Sequence, residues 1–82
     1  MKVDLFQEVS LCRDFPQYSL CAGDIATVVD FIPHPNGGEE GCILEISNAL
    51  GEFLNVAIVP ISAVTLLRSD DVMMIRSLAK AN

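Results

Sequence analysis

Gly23-Asp24-Ile25-Ala26-Thr27-Val28-Val29-Asp30-Phe31-Ile32 holds the densest run of β-branched residues in the chain, and a run of that kind is a strand. Ile25, Thr27, Val29 and Phe31 fall on one face, with Ala26, Val28 and Ile32 on the other. Carbon on both faces marks a central, strongly bent strand. Immediately before it, Ala22-Gly23-Asp24 is a tight turn in which Gly23 supplies the positive φ of a type II turn.

Upstream, Asp14 to Leu20 is a loop, because Pro16 cannot pair in a ladder and pushes Phe15 into an extended conformation. Glu8 to Arg13 is a first strand with Val9 and Leu11 turned inward, and Asp4-Leu5-Phe6-Gln7 has the capping-box form that sets one helical turn ahead of it. Downstream, the prolines and glycines of Pro33 to Gly41 make a loop that is long for a hairpin. Cys42 to Ser47 then alternates, with Cys42, Leu44 and Ile46 on one face and Ile43 and Glu45 on the other. Asn48-Ala49-Leu50-Gly51 closes a hairpin into Glu52 to Val59, where Phe53, Asn55, Ala57 and Val59 oppose Leu54, Val56 and Ile58. Pro60 withholds its donor, and Ile61 to Leu67 gives a short turn and a fifth strand. Turn signals at this recurrence suit a small antiparallel barrel or sandwich.

The tail changes period. From Ser69 or Asp70 as N-cap, Val72, Ile75, Leu78 and Ala79 recur at helical spacing, with Asp71 in the first turn and Lys80 in the last. The sequence therefore predicts an antiparallel β domain, barrel or sandwich, over 1–68 and a C-terminal α-helix over 69–82. A helix of about ten residues is not stable alone in water. The Val72, Ile75 and Leu78 stripe is thus expected to form a helix interface with the barrel, a partner, or a second copy in a homo-oligomer.

With 82 residues, 51% of them apolar, and a formal net charge of −6, the chain is one folded domain with apolar surface to spare. No run approaches the roughly 18 apolar residues of a spanning helix, and the first residues lack a basic region followed by an apolar one. A cytoplasmic protein with no membrane partner is expected. Cys12, Cys21 and Cys42 are widely spaced and form no Cys-x-x-Cys pair, so they read as reduced thiols. No lysine or arginine lies between Arg13 and Arg68, whereas Asp14, Asp24, Asp30, Glu39, Glu40, Glu45 and Glu52 all do. Such a waist attracts basic surfaces and repels phosphate backbones.

Leu5-Phe6, Val9-x-Leu11, Asp14-x-Pro16, Leu20-x-x-Gly23-Asp24-x-x-Thr27-Val28-Val29, Leu44-Glu45-Ile46 and Val64-x-Leu66 together resemble a small bacterial domain family of uncharacterised function. The likeness runs from about residue 3 to 67, and Gly-Asp-x-x-Thr-Val-Val is its most specific block. It implies a mainly β fold, a small five-stranded antiparallel SH3-like barrel related in shape to KOW modules, and it implies no catalytic residues. Members usually carry Gly where this chain has Ala26, and usually end near position 67, so the tail is an addition.

No catalytic constellation emerges. His34 sits between two prolines, and nothing places a nucleophile beside it. Glu39-Glu40 lacks the ordered Asp-x-Asp-x-Asp spacing of a calcium loop, so no metal or other cofactor is expected, nor enzyme activity. Nucleic-acid binding, the alternative that the KOW shape suggests, needs cations along one face and exposed aromatics, and the barrel region offers neither. The remaining class is a non-catalytic acidic module that binds a basic protein partner, such as an antitoxin or immunity protein neutralising a basic toxin, or a structural subunit of a larger assembly. Phe15, Tyr18 and Phe31 as aromatic anchors, Phe31 being otherwise a core residue as Phe53 is, with Asp24, Asp30, Glu39 and Glu40 as acidic contacts, are the expected partner-binding residues.

Overall fold

The computed structural model describes residues 2–34 and 36–78. Five antiparallel strands form one sheet: β1 (Glu8–Leu11), β2 (Ile25–Ile32), β3 (Gly41–Ser47), β4 (Phe53–Pro60) and β5 (Val64–Leu66). Their spatial order is β4-β3-β2-β1-β5, so the meander of the first four strands is extended by β5 on the far side of β1. One-turn 3₁₀ helices at Pro16–Tyr18 and Ile61–Ala63 join β1 to β2 and β4 to β5.

The inward face follows the alternation of β1 and β3. Val9 and Leu11 from β1, Ala26 and Val28 from β2, Cys42, Leu44 and Ile46 from β3, Ala57 and Val59 from β4, and Val64 from β5 are all buried. Phe15, Leu20 and Ala63 complete this core, and among the described residues no polar or charged one is buried with it. The turn ahead of β2 is as expected: Asp24 donates its N–H to the Cys21 carbonyl (3.0 Å), and Gly23 holds φ +92°.

The expectations for β2, for closure of the sheet, for the C-terminal helix and for the turn ahead of β1 are corrected. First, Phe31 does not share a face with Ile25 and Thr27. The register passes from Val28 opposite Leu44 to Asp30 opposite Ile43, which leaves Val29 as the extra residue of a β-bulge. Beyond it the alternation is inverted, so Phe31 packs against the core with Ala26 and Val28, while Asp30 and Ile32 turn outward. Second, the sheet is open and not a closed barrel, because β4 and β5 are its two edges and do not pair. The β4 edge is instead occupied by side chains: Ile58 donates its N–H to the Tyr18 hydroxyl (3.2 Å), Val56 donates to Asn55 Oδ1 (2.8 Å), and Pro60 has no N–H to offer. An edge treated in this way cannot extend its ladder.

Third, the C-terminal α-helix is absent. Residues 71–78 carry no helical structure, and Ala79 and Lys80 lie outside the described residues. The carboxylate expected in a first helical turn closes a different structure: Asp71 Oδ2 accepts the Arg68 N–H (2.7 Å), and the Asp71 N–H goes back to the Arg68 carbonyl (3.0 Å). Val72 and Ile75 are 85% and 94% exposed and Leu78 41%, so among the described residues no surface covers enough of the stripe to stabilise a short helix. Oligomerisation through such a helix loses its basis. No helix among the described residues is long and apolar enough to cross a membrane.

Asp4 to Gln7 makes the capping contact that its pattern promised, with Gln7 Oε1 accepting the Asp4 N–H (3.0 Å), yet it forms a turn and no helix. Phe6 occupies this turn at φ +64° and is 73% exposed. A bulky residue in the left-handed region is strained, and this one buries little in return. Phe6→Asn, which tolerates that conformation, is expected to raise stability by about 0.5–1 kcal/mol in urea denaturation.

Burial also divides the cysteines: Cys42 is fully buried, whereas Cys12 and Cys21 are exposed, and all three are free. Desolvation first, and the Glu40 charge second, push the Cys42 thiol up from its ordinary pKa. Iodoacetamide at pH 8 should therefore alkylate Cys12 and Cys21 in the folded protein and reach Cys42 only after unfolding, which mass spectrometry reads directly.

Candidate functional site

Strand register sets out the outer face of β2, β3 and β4 as three rows. Thr27, Glu45 and Val56 form the first, Asp30, Ile43 and Ile58 the second, and Ile32, Gly41 and Pro60 the third. The bulge at Val29 is what brings Asp30 and Ile32 into these rows, since an unbroken β2 would present different residues. Apolar side chains therefore cross the outer face beside the carboxylates of Asp30 and Glu45. Ile58 is 53% exposed and Val56 41%, and Leu54 and Phe53 extend the apolar surface toward the β3–β4 hairpin. A face this rich in exposed carbon, edged by charge, has the composition of an interaction surface.

The third row opens into a hollow of about 500 Å³ lined by Ile32, Pro33, His34, Glu39, Gly41, Ile58, Val59 and Pro60. Glu39 is fixed at its rim, because Ser62 donates its N–H to Oε2 (2.6 Å). Hydrogen bonds from Ser62, the hydroxyl foremost and then the N–H, hold the Glu39 carboxyl below the usual range, so it is ionised at neutral pH. His34 folds over its own loop: its Nδ1 accepts the Asn36 N–H (3.1 Å), and its ring lies where a side chain at Gly38 would have to go. Glu40 is exposed, and its carbonyl accepts the Ile61 N–H (2.9 Å) at the foot of the same loop.

The anticipated partner-binding residues are not gathered in one place. Asp30 reaches the outer face, and its Oδ1 accepts the Phe31 N–H (2.8 Å) just past the bulge. Glu39 and Glu40 stand at the rim of the hollow or next to it. Phe15, by contrast, is buried in the core beneath the Arg13 guanidinium, which lies 5.5 Å from the ring centroid. Tyr18 is half-buried, its hydroxyl engaged at Ile58. Val72, Ile75 and Leu78 are exposed along a tail without regular secondary structure.

Asp24 has a different office. Arg76 Nε donates to Asp24 Oδ1 (2.9 Å), one terminal nitrogen of the guanidinium bonds Oδ2, and the same nitrogen donates to the Ser19 carbonyl (3.0 Å). The Cys21 N–H also reaches Asp24 Oδ2 (2.8 Å). A forked pair of this kind fixes the tail against the loop before β2. The Arg76 hydrogen bond, opposed by partial burial and aided by the Cys21 N–H, keeps the Asp24 carboxyl below its ordinary pKa. A lowered carboxylate pKa contributes stability that is present above the unfolded value and lost as pH falls through the folded one. The thermal stability gap between wild type and Asp24→Asn is therefore expected to be full at pH 7 and to close as the solution is acidified below about pH 4, as calorimetry would show.

Among the described residues no group of three or more His, Cys, Asp or Glu is placed to hold a metal ion. The outer-face residues Ile32, Ile43, Val56 and Ile58 escaped the sequence reading as site residues. Their signal was the carbon on both faces of the second and fourth strands, and what was missing was that no other strand or helix among the described residues covers the outer face of β4. Comparison with family models, curated proteins and solved structures gives no significant match. The likeness to an SH3-like family rests on the quoted residues alone.

Proposed function

We propose that this chain is a non-catalytic acidic module that binds a basic, amphipathic protein on the outer face of β2, β3 and β4. The observation that carries the reading is the set of rows: Ile32, Ile43, Val56 and Ile58 are placed side by side with Asp30 and Glu45 among them, on a chain of net charge −6. The apolar side chains supply contact area, and the carboxylates select a partner of opposite charge and accelerate its encounter. A neutraliser of a basic toxin is one protein that would work in this way.

The cations support this class over a nucleic-acid module. Arg68 lies 3.7 Å from carboxylate oxygens of both Asp70 and Asp71, Arg76 is committed to Asp24, and Arg13 lies over Phe15. With the three arginines engaged in this way, Lys2 is the other cation among the described residues, too little to neutralise a phosphate backbone.

The test is affinity purification from the native host with wild type and Ile58→Asp, circular dichroism confirming that the variant is folded. A basic protein should accompany wild type, and its recovery should fall at least tenfold with Ile58→Asp. Equal recovery with the two proteins, or recovery of nucleic acid in its place, contradicts the proposal.

A further inference from the structure

We infer that the hollow beneath the third row is a subsite for one long-stemmed cationic side chain, arginine or lysine, of a protein partner. Resting on the proposed function, the inference names what the partner inserts. Gly41 places no side chain between Ile32 and Pro60, and that omission opens the hollow. Its walls are aliphatic, from Ile32, Pro33, Ile58, Val59 and Pro60, and suit the methylene stem of a basic residue.

The rim supplies the charge. Glu39 is ionised and held by the N–H of Ser62 at Oε2 and by the Ser62 hydroxyl, so its position is set before any ligand arrives. The charge of Arg13 is felt at Glu39, but only as the least of the influences on its carboxyl, and no ion pair of Glu39 is formed among the described residues. A fixed carboxylate beside an apolar trough meets the two halves of an arginine or lysine side chain at once: carbon along the trough, cation at its mouth.

The measurement is amide NMR titration with N-acetyl-arginine N-methylamide and the lysine equivalent, with the neutral norleucine equivalent as reference. The proteins are wild type, Glu39→Gln and Gly41→Val. Glu39→Gln keeps an oxygen for Ser62. A Cβ at Gly41 meets its nearest atoms at 3.5 Å or more, and the γ-methyls of Gly41→Val extend from it over the trough, circular dichroism confirming that the variant is folded. Saturable shifts are expected at Gly41, Ile58 and Val59 with at least one cationic probe and wild type. Glu39→Gln should weaken them at least fivefold, Gly41→Val should abolish them, and norleucine should bind at least fivefold more weakly.

The inference is overturned if no saturable shift appears, if Glu39→Gln binds as wild type does, or if shifts are spread equally over Asp70 and Asp71. Should the subsite fail while Ile58→Asp still loses the co-purifying basic protein, the binding face stands without it. Should the subsite hold while that protein is unaffected, it is the wider face that falls.

Discussion

One extra residue in β2 sets what the outside of this protein looks like. Opposite Leu44 and Ile43 of β3, the second strand spends Val28, Val29 and Asp30, and the surplus inverts its alternation from that point on. Phe31 is thereby drawn to the core, and Asp30 and Ile32 are delivered to the outer face, one beside Ile43 and the other beside Gly41. Bulges bend and twist a sheet as well as re-aiming its side chains. Without this one, a carboxylate would point at an apolar core, an arrangement whose desolvation cost the fold could not offset.

The same sheet handles its open edge with side chains. Tyr18 spans from the Pro16–Tyr18 turn to Ile58, Asn55 caps its neighbour Val56, and Pro60 ends the strand without a donor. These contacts disfavour strand addition at β4 and leave side-chain packing on the face as the route for a partner. The tail is handled in a comparable way. With no surface to cover a helical stripe, its fixed point is polar, the Arg76 fork on Asp24 and Ser19, while Val72 and Ile75 remain in water.

Much of the strand framework was legible in sequence because it depends on local rules. Alternation placed Val9, Leu11, Cys42, Leu44 and Ile46 inward, Gly23 marked its turn, and composition marked the Pro33–Gly41 loop. The bulge at Val29 carries no local signature, since it exists only relative to a partner strand. Edges are also non-local: nothing in Leu54, Val56 and Ile58 says that no further element will cover them. The helical period of the tail was real, but period alone does not form a helix when its apolar side has nothing to pack against. At the site, the acidic residues were visible as composition, whereas the rows that combine them with Ile32, Ile43 and Ile58 required the register.

The most direct measurement is methyl NMR of the protein bound to a basic partner, with the isoleucine and valine methyls observed individually. Perturbation concentrated at Ile32, Ile43, Val56 and Ile58, with Val9 and Val64 of the core nearly unmoved, is the predicted result. Perturbation centred on Val72 and Ile75 of the tail, leaving the outer-face methyls unchanged, would contradict it.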